Sequence, residues 1–144
     1  MKPVAEPVPP VQEPQPQRLR PPEGLWRRRV ASFGHAGRGV WAALRSEVHL
    51  RFHAAATVVV IGLGFYCGIS RLEWALVALA VASVWAAELF NTAIEALTDL
   101  ASPAWHPLAG KAKDVAAGAV LLAALGALVV GALVFGPHVF GTAP

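Results

Sequence analysis

Two stretches of this chain carry no formal charge at all: residues 54–70 (AAATVVVIGLGFYCGIS) and 115–137 (VAAGAVLLAALGALVVGALVFGP). A helix that crosses a bilayer needs about 20 consecutive apolar residues. The second stretch has that length alone, and the first reaches it by recruiting Phe52 and Leu72. Between them Leu72–Leu97 is apolar, interrupted by Glu73, Glu88, Asn91, Thr92 and Glu95. The pattern predicts an all-α integral membrane protein with three transmembrane helices, over about 53–71, 72–98 and 114–136.

Charge content points the same way. Of 144 residues 56% are hydrophobic and 15% charged, whereas an ordinary soluble domain carries about a quarter charged residues. Twelve basic and nine acidic side chains are too few to cover a water-facing surface. A soluble globule, a disordered chain and a nucleic-acid module are thereby disfavoured, and no nucleic-acid motif accompanies the net charge of +3. The single cysteine, Cys67, lies in an apolar run and forms no disulfide within the chain.

Residues 1–24 hold eight of the twelve prolines and almost no large apolar side chain, which predicts a disordered tail. From Leu25 to Phe52 the residues Trp26, Val30, Phe33, Val40, Trp41, Leu44, Val48 and Phe52 recur at steps of three, four or seven. That is one stripe of a helix, with Arg27, Arg28, Arg38, Arg45 and Arg51 on other faces. An amphipathic helix over 25–52 results, lying on a bilayer surface, packed on protein, or both. Nine of the twelve Lys and Arg residues precede residue 52, and Lys111 and Lys113 lie in the second inter-span loop. The positive-inside rule puts the N-terminus and that loop in the cytoplasm, and Tyr66 and Trp74 in the outer aromatic belt. Ala119, Ala123, Ala127 and Gly131 form a small-residue stripe on the third span. Three helices make a thin bundle, which favours a homo-oligomer.

The second span carries the chemistry. Glu88, Asn91, Glu95 and Asp99 fall within a stripe about 80° wide on a helix advancing 100° per residue. A charged group at membrane depth costs about 3 kcal/mol on insertion scales and is functional by default. Twenty residues counted from Leu72 reach Asn91, so ordinary interfacial solvation accounts for Glu95 and Asp99 but not for Glu88. Glu95 lies roughly 10 Å beyond Glu88 along the axis. The drier carboxylate suits a proton acceptor and the wetter one a hard divalent cation. Lys111, Lys113 and Asp114 open the third span, where free N–H groups favour an anion; basic anchoring of a span end explains the lysines equally well. Glu47, among Arg45, His49, Arg51 and His53, is a metal ligand or a salt-bridge partner. His49, His53 and His138 receive no role. No G-x-x-x-x-G-K-[ST] or kinase-type glycine loop is present, which excludes a soluble nucleotide-binding fold.

The run E-L-F-N-T-A-I-E-A-L-T-D from Glu88 to Asp99, followed by H-P-L-A-G-K-A-K-D from His106 to Asp114 and A-A-G-A-V, resembles the prokaryotic diacylglycerol kinase family. The resemblance covers about residues 26–136 and includes the forty-one-residue interval from Glu47 to Glu88. The stretch D-L-A-S-P-x-x-H-P-L-A from Asp99 to Ala109, S-F-x-x-A-x-x-G from Ser32 to Gly39, and R-F-H at Arg51 to His53 are similar to the undecaprenol kinase branch.

This resemblance implies an arm over 25–52 and a three-span kinase unit over 53–141, working as a homotrimer with shared active sites in the bacterial inner membrane. It implies transfer of the γ-phosphate of ATP, with Mg2+, to the hydroxyl of a membrane lipid. The family's catalytic base matches Glu88, and its metal-binding acids match Glu47 and Glu95. Its nucleotide contacts match Arg28, His35, Glu47, Asn91, Glu95, Asp99, Ala104, Trp105, His106, Lys113 and Asp114. Glu88 and Ala117 match the lipid-hydroxyl site. His35 stands where the best-known member has a tyrosine, and Ala117 where it has a serine, a departure that favours undecaprenol over diacylglycerol. The alternative from another class is a non-enzymatic helical channel or accessory subunit that uses Glu88 as an ion or proton site.

Overall fold

The computed structural model describes residues 24–141, apart from the side chains of Leu25 and Arg28. The proline-rich tail, but for Gly24, lies outside the described residues. Four helices make up the described chain: α1 (Leu25–Ser46), α2 (Val48–Cys67), α3 (Arg71–Ala101) and α4 (Pro107–Val139). No strand occurs among the described residues. The helices α2, α3 and α4 are each long and apolar enough to cross a membrane. α3 packs chiefly along α4, and α2 leans on both.

Local chemistry explains where the helices begin and end. α3 starts with a capping box, in which the Ser70 N–H donates to Glu73 Oε2 at 2.7 Å and the Glu73 N–H donates to Ser70 Oγ at 3.4 Å. Two otherwise orphaned donors are thereby satisfied. α4 starts at Pro107, which has no N–H to lose at the first helical position. The helices extend beyond the expected spans. α4 begins at 107 rather than 114, and α3 runs to Ala101 rather than 98. With 31 residues, α3 is about 46 Å long at 1.5 Å per residue, so its final turns project past a hydrocarbon core of about 30 Å.

The expected single helix over 25–52 is corrected. Glu47 adopts an extended conformation, φ −94° and ψ 121°, and serves as both the C-cap of α1 and the N-cap of α2. The Val48–Phe52 turn therefore belongs to the spanning helix. Periodicity reports which face a residue occupies, and a one-residue break that redirects the axis leaves the steps of three and four in place. The new direction buries Leu50 completely.

Most large apolar side chains on the three spans, among them Val58, Phe65, Leu79, Leu122 and Leu133, are exposed. Such continuous apolar surface suits hydrocarbon and not water. The small protein core sits where the α2–α3 link meets the end of α4: Ile69, Val77, Val134 and Phe135 are buried, with Trp74 packed beside them. Gly68, in the left-handed region at φ 63°, ends α2, and the Ile69 N–H returns to the Gly64 carbonyl at 3.2 Å. Trp74 tilts against Phe65 at 5.0 Å between centroids and covers Gly64.

A Cβ on Gly64 meets the Trp74 ring at 2.7 and 2.9 Å. Gly64→Ala therefore lowers stability by about 1–3 kcal/mol, the usual cost of overpacking. At Gly62 a Cβ meets nothing within 4 Å, and Gly62→Ala gains up to about 1 kcal/mol from helix propensity. Unfolding in mixed detergent micelles, followed by circular dichroism, separates the two. Equal midpoints for both variants would contradict this packing.

Candidate functional site

One face of α3 presents a polar group at nearly every turn from the middle of the helix to its end. Glu88 is the buried one, 5% exposed, and is the only charged or polar residue in the buried class among the described residues. An intramembrane carboxylate needs a partner, and α2 supplies it: His53 Nε2 lies 3.1 Å from Glu88 Oε1. One turn away, the Trp85 Nε1–H donates to Thr57 Oγ1 at 3.1 Å, and the Thr57 hydroxyl donates to the His53 carbonyl at 2.7 Å.

Further along α3, the Asn91 Nδ2–H donates to Glu95 Oε1 at 2.9 Å. That bond orients the Glu95 carboxylate. The Asn91 Oδ1 atom is buried and has no hydrogen-bond partner among the described residues. Asp99, exposed near the end of α3, pairs with Lys113 of α4 at 2.5 Å. A pair this open to solvent contributes about 0–1 kcal/mol.

The remaining residues singled out by sequence are more scattered. Ala104, Trp105 and His106 form the exposed α3–α4 turn, in which the Ser102 hydroxyl donates to the Ala104 carbonyl at 2.9 Å. Trp105 is 86% exposed. His106 Nδ1 accepts the Leu108 N–H at 3.2 Å and so caps α4. Asp114 and Ala117 are exposed on α4. Glu47 is half-buried at the α1–α2 joint. His35 is exposed on α1, where its Nδ1 accepts from the Arg38 guanidinium at 3.0 Å, a bond that stays within the helix. The Arg28 side chain lies outside what is described.

No three His, Cys, Asp or Glu side chains converge among the described residues. Mg2+ does not need such a cage, since it is commonly held by one or two carboxylates with phosphate and water completing the shell. The donors at hand, the oriented Glu95 carboxylate and the orphaned Asn91 oxygen, are hard oxygens, and they fit that ion. His53 was missed in the sequence, because nothing local links it to a residue thirty-five positions away. The available signal was the rule that a buried carboxylate requires a partner.

Beside this face an apolar cavity of about 670 Å³ opens between α2, α3 and α4. It runs from His53, Thr57 and Trp85 toward Phe135 and Phe140, past Ala127 and Gly131 of the small-residue stripe.

Comparison with known proteins gives this geometry its context. The family model for prokaryotic diacylglycerol kinase matches residues 34–135. Undecaprenol kinase of Bacillus subtilis (strain 168) is 45% identical over 106 residues, 74% of this chain and 86% of that protein. A diacylglycerol kinase of Synechocystis is 39% identical over 102 residues, 70% of this chain and 58% of that protein. The diacylglycerol kinase of Escherichia coli (strain K12) is 27% identical over 111 residues, 77% of this chain and 91% of that protein. The matched region spans all three membrane helices and every paired polar group of the α3 face, so the chain belongs to the prokaryotic diacylglycerol kinase family and is a membrane lipid kinase.

Proposed function

We propose that the chain transfers the γ-phosphoryl group of ATP to the hydroxyl of undecaprenol, giving undecaprenyl phosphate and ADP. The observation that carries this reading is Glu88: a buried carboxylate on a lipid-facing bundle, held by His53, at the dry end of a polar face whose wet end holds Lys113. The reactants come from different phases, and this face joins them. Glu88 takes the proton of the lipid hydroxyl as its oxygen bonds to the γ-phosphorus, and the bond to the β-phosphate oxygen breaks. General-base assistance of this kind contributes about 10²–10⁴-fold.

Phosphoryl transfer is otherwise positioning and charge stabilisation. Lys113 leaves Asp99 for the triphosphate, and Asp99, Asn91, Asp114, Arg28, His35 and the turn Ala104–His106 bind the nucleotide. Glu47 and Glu95, with Asn91 Oδ1, would hold Mg2+, which when bound would neutralise phosphate charge. The apolar cavity takes the lipid tail and brings its alcohol to the level of Glu88, beside Ala117 of α4. α1 is a surface helix: Trp26, Phe33 and Trp41 are exposed, and the Arg45 guanidinium stacks 4.8 Å from the Trp41 ring centroid. Kinship with the family, together with the thin three-helix bundle, is what supports a homotrimer in which the arm of one copy serves the site of another. The distribution of Lys and Arg supports a cytoplasmic N-terminus and α3–α4 turn in the bacterial inner membrane.

Undecaprenol is preferred here because of the 45% identity with undecaprenol kinase and because Ala117 places no hydroxyl beside the acceptor. Labelled ATP in mixed micelles, with undecaprenol, diacylglycerol or no acceptor, tests it. We expect kcat/KM for undecaprenol to exceed that for diacylglycerol by about tenfold or more, a difference of about 1.4 kcal/mol in transition-state binding. The reverse order would make the chain a diacylglycerol kinase, and no product with either lipid would remove both assignments.

A further inference from the structure

Given Glu88 as the base proposed above, we propose that His53 is a positioning residue of the site: its Nε2–H donates to Glu88 Oε1 and leaves Oε2 to face the lipid hydroxyl. The contact is 3.1 Å long and joins α2 to α3 across a buried interface. A carboxyl group turns about its terminal bond with little resistance. Glu88 is almost wholly buried, so water is not there to compete for its oxygens. A donor fixed on the neighbouring helix therefore decides which oxygen is free.

His53 is itself held in place. Its carbonyl accepts the Thr57 hydroxyl, which in turn accepts the Trp85 indole N–H. Thr57 lies four residues after His53 and Trp85 three before Glu88. The two cross-helix bonds are thus adjacent rungs of one antiparallel pair, a turn apart. The Phe52 ring stands edge-on to the imidazole at 5.5 Å. Sliding α2 along α3 breaks both rungs together, so the imidazole reports the register of the two helices directly to the base. His53 also lines the apolar cavity, which puts the imidazole at the edge of the tail compartment, beside the carboxylate it holds.

The test uses the full-length protein in mixed micelles. His53→Phe keeps the ring and removes the donor, and His53→Gln keeps an N–H donor at the Nε2 position. We expect His53→Phe to lower kcat about 100-fold, the scale set by a small misplacement of a reacting group. KM for ATP should stay within about twofold, because the contact does not touch the nucleotide residues. His53→Gln should recover kcat to within about fivefold of the parent. A merely structural imidazole would make Gln no better than Phe, and that result overturns the proposal, as does a His53→Phe enzyme with parental kcat. Nitrogen NMR of histidine-labelled parent enzyme gives an answer independent of whether either variant folds. A proton on Nε2 of His53 is expected, and a bare Nε2 refutes the assignment. Should Glu88→Gln turn over normally, the reading of Glu88 as base falls first. With Glu88→Gln inactive and His53→Phe fully active, only the positioning role is lost.

Discussion

Glu88→Gln is expected to insert into the membrane and fold as the parent does, yet to transfer phosphoryl groups about 10²–10⁴-fold more slowly. The substitution is nearly isosteric, and its amide oxygen still accepts from His53 Nε2, so the α2–α3 contact at 3.1 Å survives. What disappears is the negative charge and the capacity to take up a proton. Burial then favours the variant slightly, since a neutral amide is cheaper to desolvate than a carboxylate. A fall in rate with unchanged or improved stability is thus the signature, and a poorly folded protein does not produce it. Initial rates with labelled ATP and undecaprenol, beside thermal unfolding of the same preparations, make the measurement. Parental turnover would remove Glu88 from the reaction.

Glu95→Gln should lower the rate by about 10²–10³-fold, the scale of losing one preorganised charged group at a site of developing charge. Its dependence on free Mg2+ should move to higher concentration. The neutral amide oxygen still accepts the Asn91 Nδ2–H, so the side chain keeps its place on α3. The difference is confined to charge. For the parent enzyme, chelating Mg2+ should bring the rate to background, because a triphosphate without its cation meets unscreened carboxylates along the whole face. A Glu95→Gln enzyme whose Mg2+ curve overlays that of the parent would show that the carboxylate is not a ligand. This experiment and the preceding one separate the two roles: Glu88→Gln should leave the Mg2+ dependence where it was.

Which parts of this were legible in the sequence follows from the range of the forces involved. The three spans were, because hydrocarbon demands a continuous apolar run and every residue in it adds to the same signal. The stripe from Glu88 to Asp99 was, because all its members sit on one helix and obey one period. Glu47 was named, but the break it makes between α1 and α2 was not, since one extended residue leaves the apolar phase intact on either side. The first two turns of α4 are hard to see in sequence because a histidine cap and a proline look like loop where in fact they open a helix. His53 and Trp74 needed the third dimension. The former finds its carboxylate, and the latter its glycine, only after α2 and α3 lie side by side.

The link between α2 and α3 bears on how such a chain enters a bilayer. Gly68, Ile69 and Ser70 close the corner with their own backbone bonds, and Ser70 and Glu73 satisfy each other. Little at that tip is left asking for water. The two helices are therefore suited to cross as a preformed hairpin, dragging only Arg71 and Glu73 through the oily layer instead of a hydrated loop. The same economy that makes the corner tight thus spares the newborn protein a polar burden during its passage.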